Sequence, residues 1–108
     1  IEAHIVKNYA APEQQSAARQ TAVALQNTLV VDVSDLNAVL EVNRKLSLAS
    51  HCIHAKFERN GTSKHPAQVS RELESMFTNT KPRLLAYLAF SKALDGQAWS
   101  LPEGDTCE

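Results

Sequence analysis

Glycine is scarce in this chain. Only Gly61, Gly96 and Gly104 occur among 108 residues, and they lie far apart. A phosphate-cradling loop needs bare backbone N–H groups close together. Neither Gly-x-Gly-x-x-Gly nor Gly-x-x-x-x-Gly-Lys can be written, which argues against nucleotide-dependent chemistry. An excess of positive charge is also missing. Eleven Lys and Arg stand against 12 Asp and Glu, a formal net charge of −1. Nucleic-acid binders usually carry a basic surplus, because phosphate neutralisation supplies most of their affinity. Long apolar runs are absent: stretches such as Leu29-Val30-Val31 fall far short of the roughly 20 residues that cross a bilayer. There is no Gly-x-Ser-x-Gly elbow and no His-Glu-x-x-His pair, so the familiar hydrolase and zinc-protease patterns are not written here.

What remains is an ordinary globular composition, 44% apolar and 21% charged. The length fits a single domain spanning residues 1–108, able to bury one hydrophobic core. The chain begins at Ile1 and not Met. It therefore reads as a processed or truncated product, and removal of a secretory signal would explain it.

The only two cysteines are Cys52 and Cys107. They allow one disulfide with no ambiguity of pairing. Cys107 sits in a polar tail, where a free thiol has no packing use, so the bond is expected. It would close a loop of 55 residues and imply an oxidising compartment, periplasmic or secreted.

Helical periodicity dominates the chain. A first helix opens at Pro12-Glu13, with an apolar stripe Ala18, Ala22, Leu25 and Leu29, and ends near Val31. The β-branched stretch 28–33 supplies an alternative, a short strand that would make the fold α+β. Ser34 and Asp35 are N-cap candidates for a long second helix carrying Val39, Val42, Leu46, Ala49, Ile53 and Phe57, stopped by Asn60-Gly61. On its flank Leu48 and Cys52 need cover, which the tail tied at Cys107 would give. Pro66 opens a third helix facing Val69, Leu73, Met76 and Phe77 inward. Thr80 caps a fourth, expected to bury Leu84, Tyr87, Leu88, Ser91 and Leu94, with Leu85 and Ala89 widening that face. Asp95-Gly96 ends it. Trp99 is expected to anchor the tail. The first nine residues read as an arm, a strand or a short extra helix. The expected fold is all-α: four main helices in a bundle-like single domain, with the C-terminal tail stapled to the second helix.

Charge is unevenly distributed. Residues 1–43 and 84–108 are each net −3, whereas residues 44–83 are net +5. The basic band comprises Arg44, Lys45, Lys56, Arg59, Lys64, Arg71, Lys81 and Arg83, with His51, His54 and His65 between them. Such a band suits a docking face for an acidic or cleft-shaped protein surface. Its aromatics, Phe57 and Phe77, fit core positions, which argues against nucleic acid. His54, Glu58, Arg59, Lys64 and His65 are the nominated partner-binding residues. The expected function is non-catalytic protein binding outside the cytoplasm, in its most concrete form a periplasmic immunity protein or inhibitor that blocks a toxic enzyme. A secreted effector that binds a host protein fits the same residues. The alternative is a small metal-dependent binder or enzyme using His51, His54 and His65, since zinc accepts imidazole ligands in tetrahedral geometry. Cys52 and His51 are adjacent and point about 100° apart on a helix, a poor nucleophile–base pair. No cofactor and no catalytic residue is nominated. A homodimer through Leu48, Leu85 and Trp99 stays open.

Overall fold

Five helices form the described structure: α1 (Glu2–Asn8), α2 (Pro12–Val30), α3 (Leu36–Glu58), α4 (Pro66–Phe77) and α5 (Lys81–Ala93). The computed structural model describes residues 1–58, 65–97 and 105–108, with Glu58 described by its backbone alone. The expected stop at Asn60-Gly61 and the anchor at Trp99 lie outside those residues. No strand occurs among the described residues, and Thr28, Leu29 and Val30 belong to α2. Thr28 is buried, and its hydroxyl donates to the Leu25 carbonyl at 2.6 Å. That bond within the helix satisfies the one polar atom of a side chain that would otherwise favour a strand. The fold is therefore all-helical, with the four expected helices joined by the short α1.

The helix starts follow local rules. Pro12, Pro66 and Pro82 each sit in a first turn, where the missing N–H costs nothing. Asp35 caps α3 by accepting from the Ala38 N–H at 3.2 Å. Ser34 does not; it is held by Asp32, which accepts from both its N–H and its hydroxyl. Thr80 caps α5 through the Arg83 N–H. After α5 the chain turns at Gly96, whose φ of +80° suits a residue without Cβ.

The core joins Ile5 and Tyr9 of α1, Ala17, Ala18 and Leu25 of α2, Cys52, Ile53 and Phe57 of α3, and Val69 and Leu73 of α4. Helix α2 is the hub. It packs most heavily on α3 and also meets α1, α4 and α5. Its inward side is built largely of small residues, Ala17, Ala18, Thr21, Ala22 and Ala24, which lets a neighbouring backbone approach closely.

The disulfide joins Cys52 to Cys107, with Cα atoms 4.9 Å apart. It ties the tail to α3 as expected, and the cover over Leu48 is concrete. The Thr106 hydroxyl donates to the Leu48 carbonyl at 2.8 Å. The Gln20 carboxamide donates to the Thr106 carbonyl and accepts from the Glu108 N–H, both at 3.0 Å. The tail is thus stitched to α2 and α3 together.

One expectation about α5 is corrected. The side turned to the core carries Phe90, 2% exposed, with Ala86, Tyr87, Ala93 and Leu94 half-buried. Leu84 and Leu88 are 43% and 52% exposed, and Ser91 is exposed as well. The helix is apolar on two sides, so periodicity alone could not tell which side faces in. The larger ring of Phe90 took the interior.

Candidate functional site

Of the residues nominated from sequence, His54 and the backbone of Glu58 are described at the end of α3, and His65 at the start of α4. His54 is exposed near the end of α3, and Glu58 closes that helix. Arg59 and Lys64 lie outside the described residues. His65 is exposed and has structural work: its Nδ1 accepts from the Ala67 N–H at 3.1 Å and caps α4. Its carbonyl accepts from Gln68 and Val69 as well. His51 is half-buried, and its enclosed Nδ1 has no hydrogen-bond partner among the described residues. Among the described residues no group of three or more His, Cys, Asp or Glu side chains is placed to hold a metal ion, and His51, His54 and His65 are all described. Cys52 is bonded to Cys107, so it offers no thiolate to a metal or a substrate.

The basic band is partly neutralised within the molecule. Arg44 pairs with Glu41 one turn back and holds that carboxyl below its usual range, chiefly through the hydrogen bond. Arg83 donates to the Asn79 side chain at 3.0 Å. Lys45, Arg71 and Lys81 are exposed, and Lys56 is half-buried.

Two features escaped the sequence. The first is a polar clasp between α1 and α4. The Tyr9 hydroxyl donates to Glu72 Oε2 at 3.4 Å, and His4 Nε2 lies 3.2 Å from the same hydroxyl and 3.8 Å from the same carboxylate oxygen. Gln68 donates to the other Glu72 oxygen at 3.2 Å. The Tyr9 ring is wedged edge-on between His4 and Phe57, with centroids 5.5 and 5.4 Å away. Burial, and then the Glu72 charge, pushes the phenol well above its ordinary range. A phenol kept protonated this firmly serves as a donor and not as a nucleophile. The clasp therefore fastens α1 to α4. No spacing rule links Tyr9 to a glutamate 63 positions further on.

The second feature is the outer side of α5. Leu84, Leu85 and Leu88 are 43%, 54% and 52% exposed. At about 100° per residue they lie opposite Phe90. A shallow groove of about 340 Å³ runs separately past Ile1, Ala22, Val23, Gln26, Asn27 and Phe77. It is open, and the side chains that line it are uncharged. With this geometry in hand, comparison with protein-family models, curated proteins and solved structures finds no match for the chain.

Proposed function

We propose that this chain is a non-catalytic protein-binding module that works outside the cytoplasm. The observation that carries the reading is the uncovered leucine face of α5, on a helix whose other side is already packed. A helix apolar all round is normally covered all round, and three neighbouring leucines facing water are better explained by a partner than by solvent. The Cys52–Cys107 bond supports an oxidising compartment, where such bonds persist. No helix among the described residues is long and apolar enough to cross a membrane.

In its finer form the reading is a periplasmic immunity protein or inhibitor. In that form a stapled scaffold presents α5 to the cleft of a toxic enzyme, and the residues nominated from sequence, His54, Glu58, Arg59, Lys64 and His65, supply charge for the encounter. Affinity would come from the leucines, whereas encounter rate would come from the basic residues.

The test is recovery of the native partner from the source. Wild-type chain should retain one protein in stoichiometric complex and suppress its activity. The pair Leu85→Asp and Leu88→Asp should lose both effects while keeping its helical circular dichroism. A partner that remains fully active in the complex would end the inhibitor version. Turnover of a substrate by the purified chain alone would end the non-catalytic reading altogether.

A further inference from the structure

Resting on the binding-module reading, we propose that the outer face of α5 docks an amphipathic helix of a partner protein whose apolar stripe is bounded at both ends by carboxylates. On α5 the residues Lys81, Leu84, Leu85, Leu88 and Lys92 share the side opposite Phe90 at about 100° per residue. The three leucines are roughly half exposed, and both lysines are exposed. The lysines stand eleven positions apart, 81 to 92, which is about 16 Å along a helix. A straight stripe of leucines spaced three and four apart forms the ridges and grooves that accept a second helix.

Charge decides which helix. Helix α5 carries Lys81, Arg83 and Lys92 and no acid; the next carboxylate, Asp95, falls in the turn that follows. A second copy laid leucine on leucine in antiparallel fashion would bring Lys81 near the other copy's Lys92. In parallel fashion each lysine would meet its twin. Like charges across an interface disfavour both arrangements. A lipid surface fits less well, because interfacial helices lean on Trp or Phe at the boundary and on a strongly cationic face. The stripe has no aromatic, and the chain as a whole is net −1. A helix with apolar side chains over the leucines and an acid near each lysine satisfies both halves of the surface.

The experiment uses the intact, disulfide-bonded chain and two synthetic helical peptides with the same leucine stripe. One peptide ends that stripe in Glu residues, the other in Lys. Binding is read by fluorescence anisotropy at low salt. The Glu-ended peptide should bind at least about tenfold more tightly than the Lys-ended one, a margin of one power of ten in Kd. Leu85→Asp with Leu88→Asp should weaken it by a similar factor. Lys81→Glu with Lys92→Glu should reverse the preference between the two peptides, an outcome that misfolding cannot imitate. Equal binding of the two peptides, no binding of either, or a preference untouched by the charge swap would overturn the inference. So would binding to phosphatidylserine-containing vesicles without peptide selectivity, or self-association that the leucine variants abolish and the peptides do not compete with. These failures leave the native-partner recovery to be judged separately. Failed recovery beside intact peptide selectivity would strike the wider reading and not the chemistry of this surface.

Discussion

At Tyr9 a buried hydroxyl donates to Glu72 while the ring stands edge-on to Phe57. Replacing it with Phe keeps the ring and removes the bond that holds a half-buried carboxylate. Tyr9→Phe is expected to cost about 1.5–3 kcal/mol in urea denaturation, the range for a bond to a charged acceptor. The alkaline limb of stability follows from the same physics. The folded-state pKa of Tyr9 lies above the unfolded value of about 10. Its contribution is therefore whole below pH 10 and is lost as the pH rises further. Tyr87 behaves alike: burial, then Glu74, pushes it up to about 12, so its loss falls between pH 10 and about 12. Urea midpoints measured across that window should fall with pH, and less steeply in Tyr87→Phe. A slope identical to wild type would contradict the assignment. The caps Asp35 and Thr80 were legible in the sequence because a cap is decided within three residues. His65 was legible as a surface polar residue but not as the cap of α4, since an imidazole acceptor is an uncommon choice there. His65→Ala should cost about 1 kcal/mol, and His65→Asn should recover most of it.

At the scale of the element, α5 separates a side that stabilises from a side that does not. Phe90→Ala should lower stability by about 3–4 kcal/mol, because a large buried ring leaves a cavity. Leu85→Ala should change it by about 0.5 kcal/mol or less, as surface substitutions do. Thermal melts of the two variants distinguish them directly; equal losses would mean that the outer leucines are covered in solution. Legibility here depended on amphipathicity. Helix α3 has polar residues on one side, so Val39, Ala49, Ile53 and Phe57 were readable as buried from their spacing. Helix α5 has apolar residues on both sides, so Leu84 and Leu88 competed with Phe90 on equal terms. Helix α1 was unreadable for a different reason. Seven residues are too few to be a stable helix alone, and its existence depends on Ile5 and Tyr9 reaching the core.

For the molecule as a whole, the staple was the most legible feature, because two cysteines permit one pairing. Closing a loop of 55 residues contributes about 4 kcal/mol in the chain-entropy account. Adding a reductant should therefore shift the urea midpoint downward by that energy, and the denatured, unreduced chain should show no free thiol. Two titratable thiols would contradict it. The state of the basic band was far less legible. Charge can be counted along a chain, but Arg44 is answered by Glu41 within its own helix, and no count foresees that. The remaining prediction concerns Arg59 and Lys64. Reversing both charges should slow association with the native partner, most at low ionic strength, where the Debye length is longest. An unchanged association rate would mean that these two residues are only solvated surface.

The returning tail bears on how the protein comes apart. Thr106, Cys107 and Glu108 are fastened to Gln20 of α2 and to Leu48 and Cys52 of α3. The two longest rods are thus sewn together at the place where their small side chains already bring them close. Opening is then graded, from the rim towards the middle. The first and last helices open before the sewn pair, each giving up a buried ring, Tyr9 or Phe90, to do so, while amide protons along the sewn pair exchange only when the whole body melts.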